Sequence, residues 1–583
     1  MKTFRNILAI AFIAAGALMP MAASAQLTEG VFPAVGTPSN PKVEATWNHY
    51  YDYAGITELT NRIAKAHPDL VRRQSIGKSV EGREMWVLTI SNFKNGDPDK
   101  KPAIYIDGNI HSNEIQGTEV ALYTAWYLTE SFGDVEFITE LLNDKTFYIV
   151  PTINPDAREH FMKAANNANS PRSGVKPIDN DGDGVANEDV YDDLNNDGHI
   201  TTMIRKNPRG EFKKHPNNPN VLVRVGPDEF GDYERLGYEG LDNDGDGRIN
   251  EDGIAFSYDP NRDWGWNWQP DYIQRGAMKY PFSLPETRNV MEFAMSHPNI
   301  AAAQSYHNAG GMILRGPGAE EDRSTYNRAD SRVYDAIGEK GERLIPGYRY
   351  LVVYDDLYTV FGGELDWFYG IKGVFTYSNE LFTPYEYYNE QGASRGDQSL
   401  LSEFDRDLLF GDGIVEWETY NHPQYGEIEI GGPKKQFGRA HPGFLLEQMA
   451  HRNMAFTIFH AYHTPKLTID EITEKDLGGG LKEVTAVVTN ERMIPTHAGI
   501  DTEYKITRPD LIKIEGARVE AGMIVDNRDF NQTTEQPQNP AVIEVENIAG
   551  MSSVTVRWII SSGRNYTVTV DSKKGGIVSM KKS

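Results

Sequence analysis

His111 and Glu114 stand three apart in GNIHSNE, where the apolar run AIYIDGNI gives way to a helix-like segment. A His and a Glu on such a corner can converge on one ion. The apolar run IAAAQSYH delivers a third candidate, His307, at its far end. Two His and one Glu leave a fourth position open, which is the donor set of a catalytic zinc rather than a structural one. Glu380, in VFTYSNELF, also follows an apolar run. It is placed to act as general base, taking the proton of a zinc-activated water. Asp259 is a candidate to orient His111 through its second ring nitrogen, as a metal-bound imidazole usually requires. The chain has no cysteine, so thiolate sites, a Cys nucleophile and disulfides are excluded, and a transition metal must use His, Asp or Glu.

The elements that must carry these residues follow from hydrophobic period. ITELTNRIAKAHPDL reads as a helix, REMWVLTIS and KPAIYIDGNIH as strands, Glu114–Glu130 as a helix and TFYIVPTINP as a strand. IAAAQSYH, YRYLVVY and VFTYSNE continue the strands, with helices near Glu286–Met295 and Ala329–Arg343. Alternation of this kind predicts an α/β fold with a central sheet flanked by helices. His111, His307 and Glu380 each sit at the carboxyl end of a strand, where open α/β sheets place their sites. The pattern stops between about Ala165 and Ser257 and again between Thr383 and Gln436. An irregular stretch that long is expected only where something holds it, such as metal ions. The helix-like FLLEQMAHRNMAFTIFHAY follows. Beyond Pro465 the chain turns to short period-two runs such as EVTAVVTN and SVTVRWII, which predict a small all-β sandwich over 466–583. That module shows one His, His497, and no clustered polar set; its Trp558 reads as core packing.

With the elements in place, the chain resembles the zinc carboxypeptidase family. Nine elements occur in order: SIGKSVEGREMWVLTIS, GNIHSNE, TINPDA, IRKNPR, DPNRDW, FSLPET, SYHNAG, YTVFGGELDW and YSNELF. The resemblance implies a catalytic domain over 26–465, with a mixed central sheet and an insertion at about 166–257. It implies one zinc per chain on His111, Glu114 and His307, and Glu380 as the base. Arg205 stands where the family polarises the scissile carbonyl. A fixed cation aimed at developing negative charge suits that task. Asn261 and Arg262 stand where the substrate's terminal carboxylate is gripped, a role suited to the guanidinium fork. Tyr358 matches the mobile tyrosine. Leu365 lies where the specificity pocket is set, and its apolar side chain disfavours a strictly basic preference. Asn113, inside HxxE, and Asn308-Ala309, after the distal His, depart from common members. The catalytic pattern begins near Trp47, so no large prodomain is expected. The implied reaction is hydrolysis of the C-terminal peptide bond of a peptide or protein. An amidohydrolase trimming cell-wall stem peptides and a non-catalytic peptide-binding protein are the alternatives.

Three acidic segments share a second plan: Asp179, Asp181 and Asp183; Asp193, Asn195 and Asp197; Asp242, Asp244 and Asp246, each followed by Gly. Oxygen side chains at positions 1, 3 and 5 with Gly at 6 form the first half of a calcium loop. None has Glu at position 12, so these resemble extracellular DxDxDG repeats, and structural Ca2+ is expected. The stretches 179–201 and 239–252 carry -8 and -5 of the formal net charge of -26. That acidity argues against a nucleic-acid partner. Residues 1–25, with Lys2, Arg5, an apolar run and Ala23-Ser24-Ala25, read as a cleaved signal peptide. A secreted protein, periplasmic or extracellular, without a membrane partner after cleavage is the expectation.

Overall fold

The computed structural model describes residues 34–253, 258–389, 398–563 and 565–582. The leader expected over 1–25 lies outside the described residues, as do 254–257 at the end of the expected insertion. Among the described residues, no helix is long and apolar enough to cross a membrane.

Eight strands form the central sheet, in the order Val71–Lys78, Glu84–Ile90, Thr146–Val150, Ala103–Gly108, Ile300–Asn308, Phe375–Leu381, Met312–Arg315, Arg349–Val352. The four middle strands run parallel, while antiparallel pairs flank them, so the sheet is mixed. The middle strands are buried along almost their whole length. That is why they read as unbroken apolar runs rather than alternating ones: helices cover both faces. Ile104 and Ile106 point into the core formed with the helices Gln116–Glu130 and Gly443–Tyr462. Tyr105 points the other way, into the core formed with Pro285–Ser296 and Glu364–Lys372. Where the first of these helices crosses its strand, the backbones nearly touch. A Cβ on Gly108 would lie 2.7 Å from the carbonyl carbon of Gly117, so only glycine fits there.

The two stretches without periodicity are not structureless. Thr202–Gly210, Phe212–His215, Asn218–Arg224 and Gly231–Tyr238, from the first stretch, join Ile414–His422 and Gly426–Pro433, from the second, in one six-stranded sheet. The expectation of loops is therefore corrected. The physical reason is that this sheet is largely exposed and polar, with apolar packing confined to small groups such as Met203, Ile428 and Ile430. Alternation is weak when little of a strand is buried.

Residues 467–582 form two all-antiparallel sheets of five and four strands over one core that includes Trp558. The expectation that this module holds no clustered polar set is also corrected. His497 lies 3.3 Å from Asp501 and 3.2 Å from Asp510, and Lys574 lies 2.6 Å from Asp501. His497 and Asp501 are four residues apart, but Asp510 comes from the next strand and Lys574 from a turn some seventy residues on, so local spacing shows only one pair of the cluster. The cluster is a clamp. Lys574 donates to the carbonyls of Lys372 and Gly373, at the end of the helix Glu364–Lys372. Those carbonyls are among the orphan acceptors of a helix C-terminus.

Candidate active site

The run GNIHSNE leaves its strand through Asn109, whose φ of 62° lies in the left-handed region that Asn tolerates. Its amide donates to the carbonyls of His111 and Ser112, and its oxygen accepts from Arg158. The corner is thus held from inside. His111 Nδ1 lies 3.0 Å from one oxygen of Glu114, and His307 Nδ1 lies 3.1 Å from the other. The two Nδ1 atoms are 3.2 Å apart. Ligand atoms set tetrahedrally about a zinc ion, with bonds of ~2.0–2.1 Å, are roughly 3.3 Å apart, so this donor set fits the metal without rearrangement. All three residues are buried. Burial would raise the carboxyl of Glu114, but His111 and His307 hold it well below the usual range. Burial would lower His307, but Glu114 holds it above its ordinary value. The centre of the cluster favours positive charge, which a divalent ion supplies.

Asp259 accepts from the other ring nitrogen of His111 at 2.8 Å, the contact its sequence position suggested. Glu380 is paired in register with His307 on the neighbouring parallel strand. Its carboxyl is pushed up by burial and by Glu114, against the pull of His307, His111 and Arg172. Asn261 lies 3.3 Å from His307 Nε2 and also caps the backbone of Glu364. Arg262 donates to the carbonyl of Asn261 and faces the same cleft. Tyr358 stands at the lip, 58 % exposed. Leu365 lines the cleft with Leu314, Val353 and Val360.

Arg205 is not brought there. It lies on Thr202–Gly210 in the six-stranded sheet, half exposed and paired with Glu234 at 2.5 Å. The cation that lies against the zinc-ligand cluster in the cleft is Arg172. Its guanidinium lies 2.8 Å from Asp259, 3.2 Å from His111 Nδ1 and 4.0 Å from Glu114. Burial opposes its charge, but Asp259 and Glu114 keep it protonated. The segment is stitched to the zinc corner: Ser112 N–H donates to the carbonyl of Arg172, and Asn154 donates to Ile110 and Ser173. One available signal was that Arg172 is the first arginine beyond the helix that opens with TINPDA and Arg158. IRKNPR matched in letters but belongs to a different sheet.

Four further residues, Arg439, Ser305, Asp107 and Glu364, were assigned no role from the sequence. Arg439 approaches Glu114 at 3.6 Å and donates to the carbonyl of Asn308. On the cleft floor, the hydroxyl of Ser305 serves both Asp107, at 2.9 Å, and Glu364, at 3.1 Å. Burial and the neighbouring Asp107 push Glu364 well above the usual carboxylate range. Ser305, Glu364 and Asp107 lie inside SYHNAG, YTVFGGELDW and AIYIDGNI, but only the fold brings them together; Arg439 comes from a distant segment.

A model of the zinc carboxypeptidase family matches residues 56–390, and a model of a domain of unknown function matches 466–583. Carboxypeptidase D of Mus musculus is 32 % identical over 125 residues, which is 21 % of this chain and 9 % of that protein. A zinc carboxypeptidase of Saccharothrix mutabilis subsp. capreolus is 30 % identical over 128 residues, 22 % of this chain and 29 % of that one. The match thus spans less than a third of either relative. The structure of carboxypeptidase A from Helicoverpa armigera is similar at 17 % identity and a TM-score of 0.40, over 72 % of this chain and 74 % of that one.

Proposed function

The chain belongs to the zinc carboxypeptidase family, and from that premise we propose that it is a secreted metallocarboxypeptidase hydrolysing the C-terminal peptide bond of peptides or proteins. The observation that carries the reading is one cleft holding His111, His307, Glu380, Arg172, Asn261 and Arg262 together. A protein that only bound peptides would need no half-buried base on the strand beside a metal-ligand cluster.

His111, Glu114 and His307 would hold the zinc. When bound, zinc polarises a carbonyl and acidifies water. Glu380 takes the proton of the attacking water and passes it to the leaving amine. A carboxyl raised by burial is matched to that exchange. Arg172 places a fixed positive charge where the carbonyl oxygen becomes negative, the task first attached to Arg205. Its ion pair with Asp259 keeps the fork from swinging away. Asn261 and Arg262 receive the terminal carboxylate, and Tyr358 covers the bound residue from the lip. Leu365 and its apolar neighbours line the pocket for the terminal side chain.

The acidic loops are read as structural calcium sites, consistent with an extracellular or periplasmic setting where that ion is plentiful. The test of function is mass spectrometry of a peptide library incubated with zinc-loaded protein, including free-acid, amidated and D-amino-acid termini. Stepwise loss of single residues from free-acid L-peptides is expected. Cleavage confined to D-terminal or stem-peptide substrates would establish the amidohydrolase alternative. No cleavage of any member would leave a binding protein.

A further inference from the structure

The first and third acidic loops are copies of one another at a spacing of 63 residues. In one, Gly182 and Gly184 donate to Asp179, and the N–H of Asp183 to Asp181. In the other, Gly245 and Gly247 donate to Asp242, and the N–H of Asp246 to Asp244. Each run ends in a Glu-Asp pair, Glu188-Asp189 and Glu251-Asp252. The tertiary structure crosses the two endings. Asp252 accepts from the backbone N–H groups of Asn180 and Asn187, inside the first loop. Asp189 accepts from Asn243, inside the third. Asp181 also meets Asp244 and Glu251 across the junction.

The second observation concerns oxygens without donors. Asp189 is fully buried, yet its Oδ2 has no hydrogen-bond partner. All four carboxylate oxygens of Glu188 and Glu251 are likewise sealed from solvent and unpartnered. Glu188 faces Asp252 and lies in the field of Asp183, and Glu251 faces Asp189 and Asp246. Buried acceptors are almost always satisfied, and carboxylates gathered like this repel unless a cation lies among them. The middle loop differs: both oxygens of its neighbouring Glu239 are taken by Thr201 and Leu194.

We propose that these two loops bind a pair of calcium ions in crossed fashion, each ion held by the three Asp and the Glu of one loop and by the buried Asp that follows the Glu of the other. Each site then offers six carboxylate oxygens when its Glu binds through both, near the roughly six to eight that Ca2+ takes. The crossing joins the two ends of the long segment between Arg172 and Asp259, the pair that meets in the cleft at 2.8 Å. Calcium would therefore set the position of the catalytic cation as well as hold the loop. This deepens the calcium reading above and rests on it.

The experiment is calorimetric titration of calcium into the zinc-loaded full chain. Asp189→Asn and Asp252→Asn should each bind one calcium fewer than wild type. Asp189→Asn combined with Asp242→Asn and Asp246→Asn should lose no more than those two alone. Combined with Asp179→Asn and Asp183→Asn, it should lose two ions. The reverse pattern overturns the crossing and leaves calcium binding intact. A wild-type protein that takes up no calcium overturns the calcium reading itself. Retained zinc reports folding. Should Asp252→Asn lose zinc through its two backbone contacts, Asp189→Asn alone decides, because its Oδ2 has no donor to lose.

Discussion

Replacing Arg172 by Gln should cost about 10²–10³-fold in kcat, the scale for one lost oxyanion-stabilising group. The size follows from the surroundings of the guanidinium. Its side chain is 28 % exposed and lies between Asp259 at 2.8 Å and Glu114 at 4.0 Å, so its field is only partly screened. A unit charge at ~4 Å is worth about 4 kcal/mol at an effective dielectric of ~20. Only the part that grows as the carbonyl oxygen becomes negative counts toward rate. A loss of ~3–4 kcal/mol corresponds to the stated range at ~1.4 kcal/mol per tenfold. Arg205→Gln is the control. Its pair with Glu234 is half exposed and worth about 0.5 kcal/mol of stability, and turnover should stay within about threefold, the effect of ~0.6 kcal/mol. The assay is steady-state hydrolysis of an N-acylated dipeptide, with rates normalised to bound zinc because Arg172 also contacts His111. Near-normal turnover of zinc-loaded Arg172→Gln would refute the reasoning. So would an equal loss in Arg205→Gln.

Three other outcomes are expected. Glu380→Gln should keep zinc and lose about 10²–10⁴-fold or more in kcat, the scale of general-base loss; turnover within a few-fold of wild type would remove it from that role. Asp259→Asn should weaken zinc binding by about 10–100-fold in chelator competition, the usual effect of losing a partner of a ligating His, and unchanged affinity would show that His111 needs no such partner. His497 is pushed up to about 9, where Asp501 and Asp510 outweigh burial. Because the folded state holds this proton more tightly, its contribution of about 3 kcal/mol is complete below pH ~6.5 and lost as pH rises through about 9. Thermal melts of wild type and His497→Gln should therefore converge between those values, and parallel curves would exclude the linkage.

What could be read from the sequence was local. His111, Glu114, His307 and Glu380 lie at the ends of strands buried on both faces, so unbroken apolar runs pointed to their carboxyl ends. The middle strands were legible for the same reason. The six-stranded sheet was not, because it joins exposed strands about two hundred residues apart and buries too little to impose a pattern. IRKNPR shows the opposite error: a short likeness in letters was satisfied by a strand in the wrong sheet. Arg172 lies in a segment with no period of its own, placed by Ser112 and Asn154 from other elements.

The acidic loops divide the same way. Their Asp spacing and glycines are a property of a few consecutive residues, and the sequence by itself determined them. Which loop each closing Asp serves was decided only by the fold, which carries Asp252 to Asn180 and Asp189 to Asn243. The clamp of His497, Asp501, Asp510 and Lys574 has the same origin. Ligand type and short-range spacing are set by covalent neighbours and are written in the chain. The pairing of charges from distant segments is set by packing, where burial makes an unpartnered charge costly, and no local pattern records which partner the folded chain will supply.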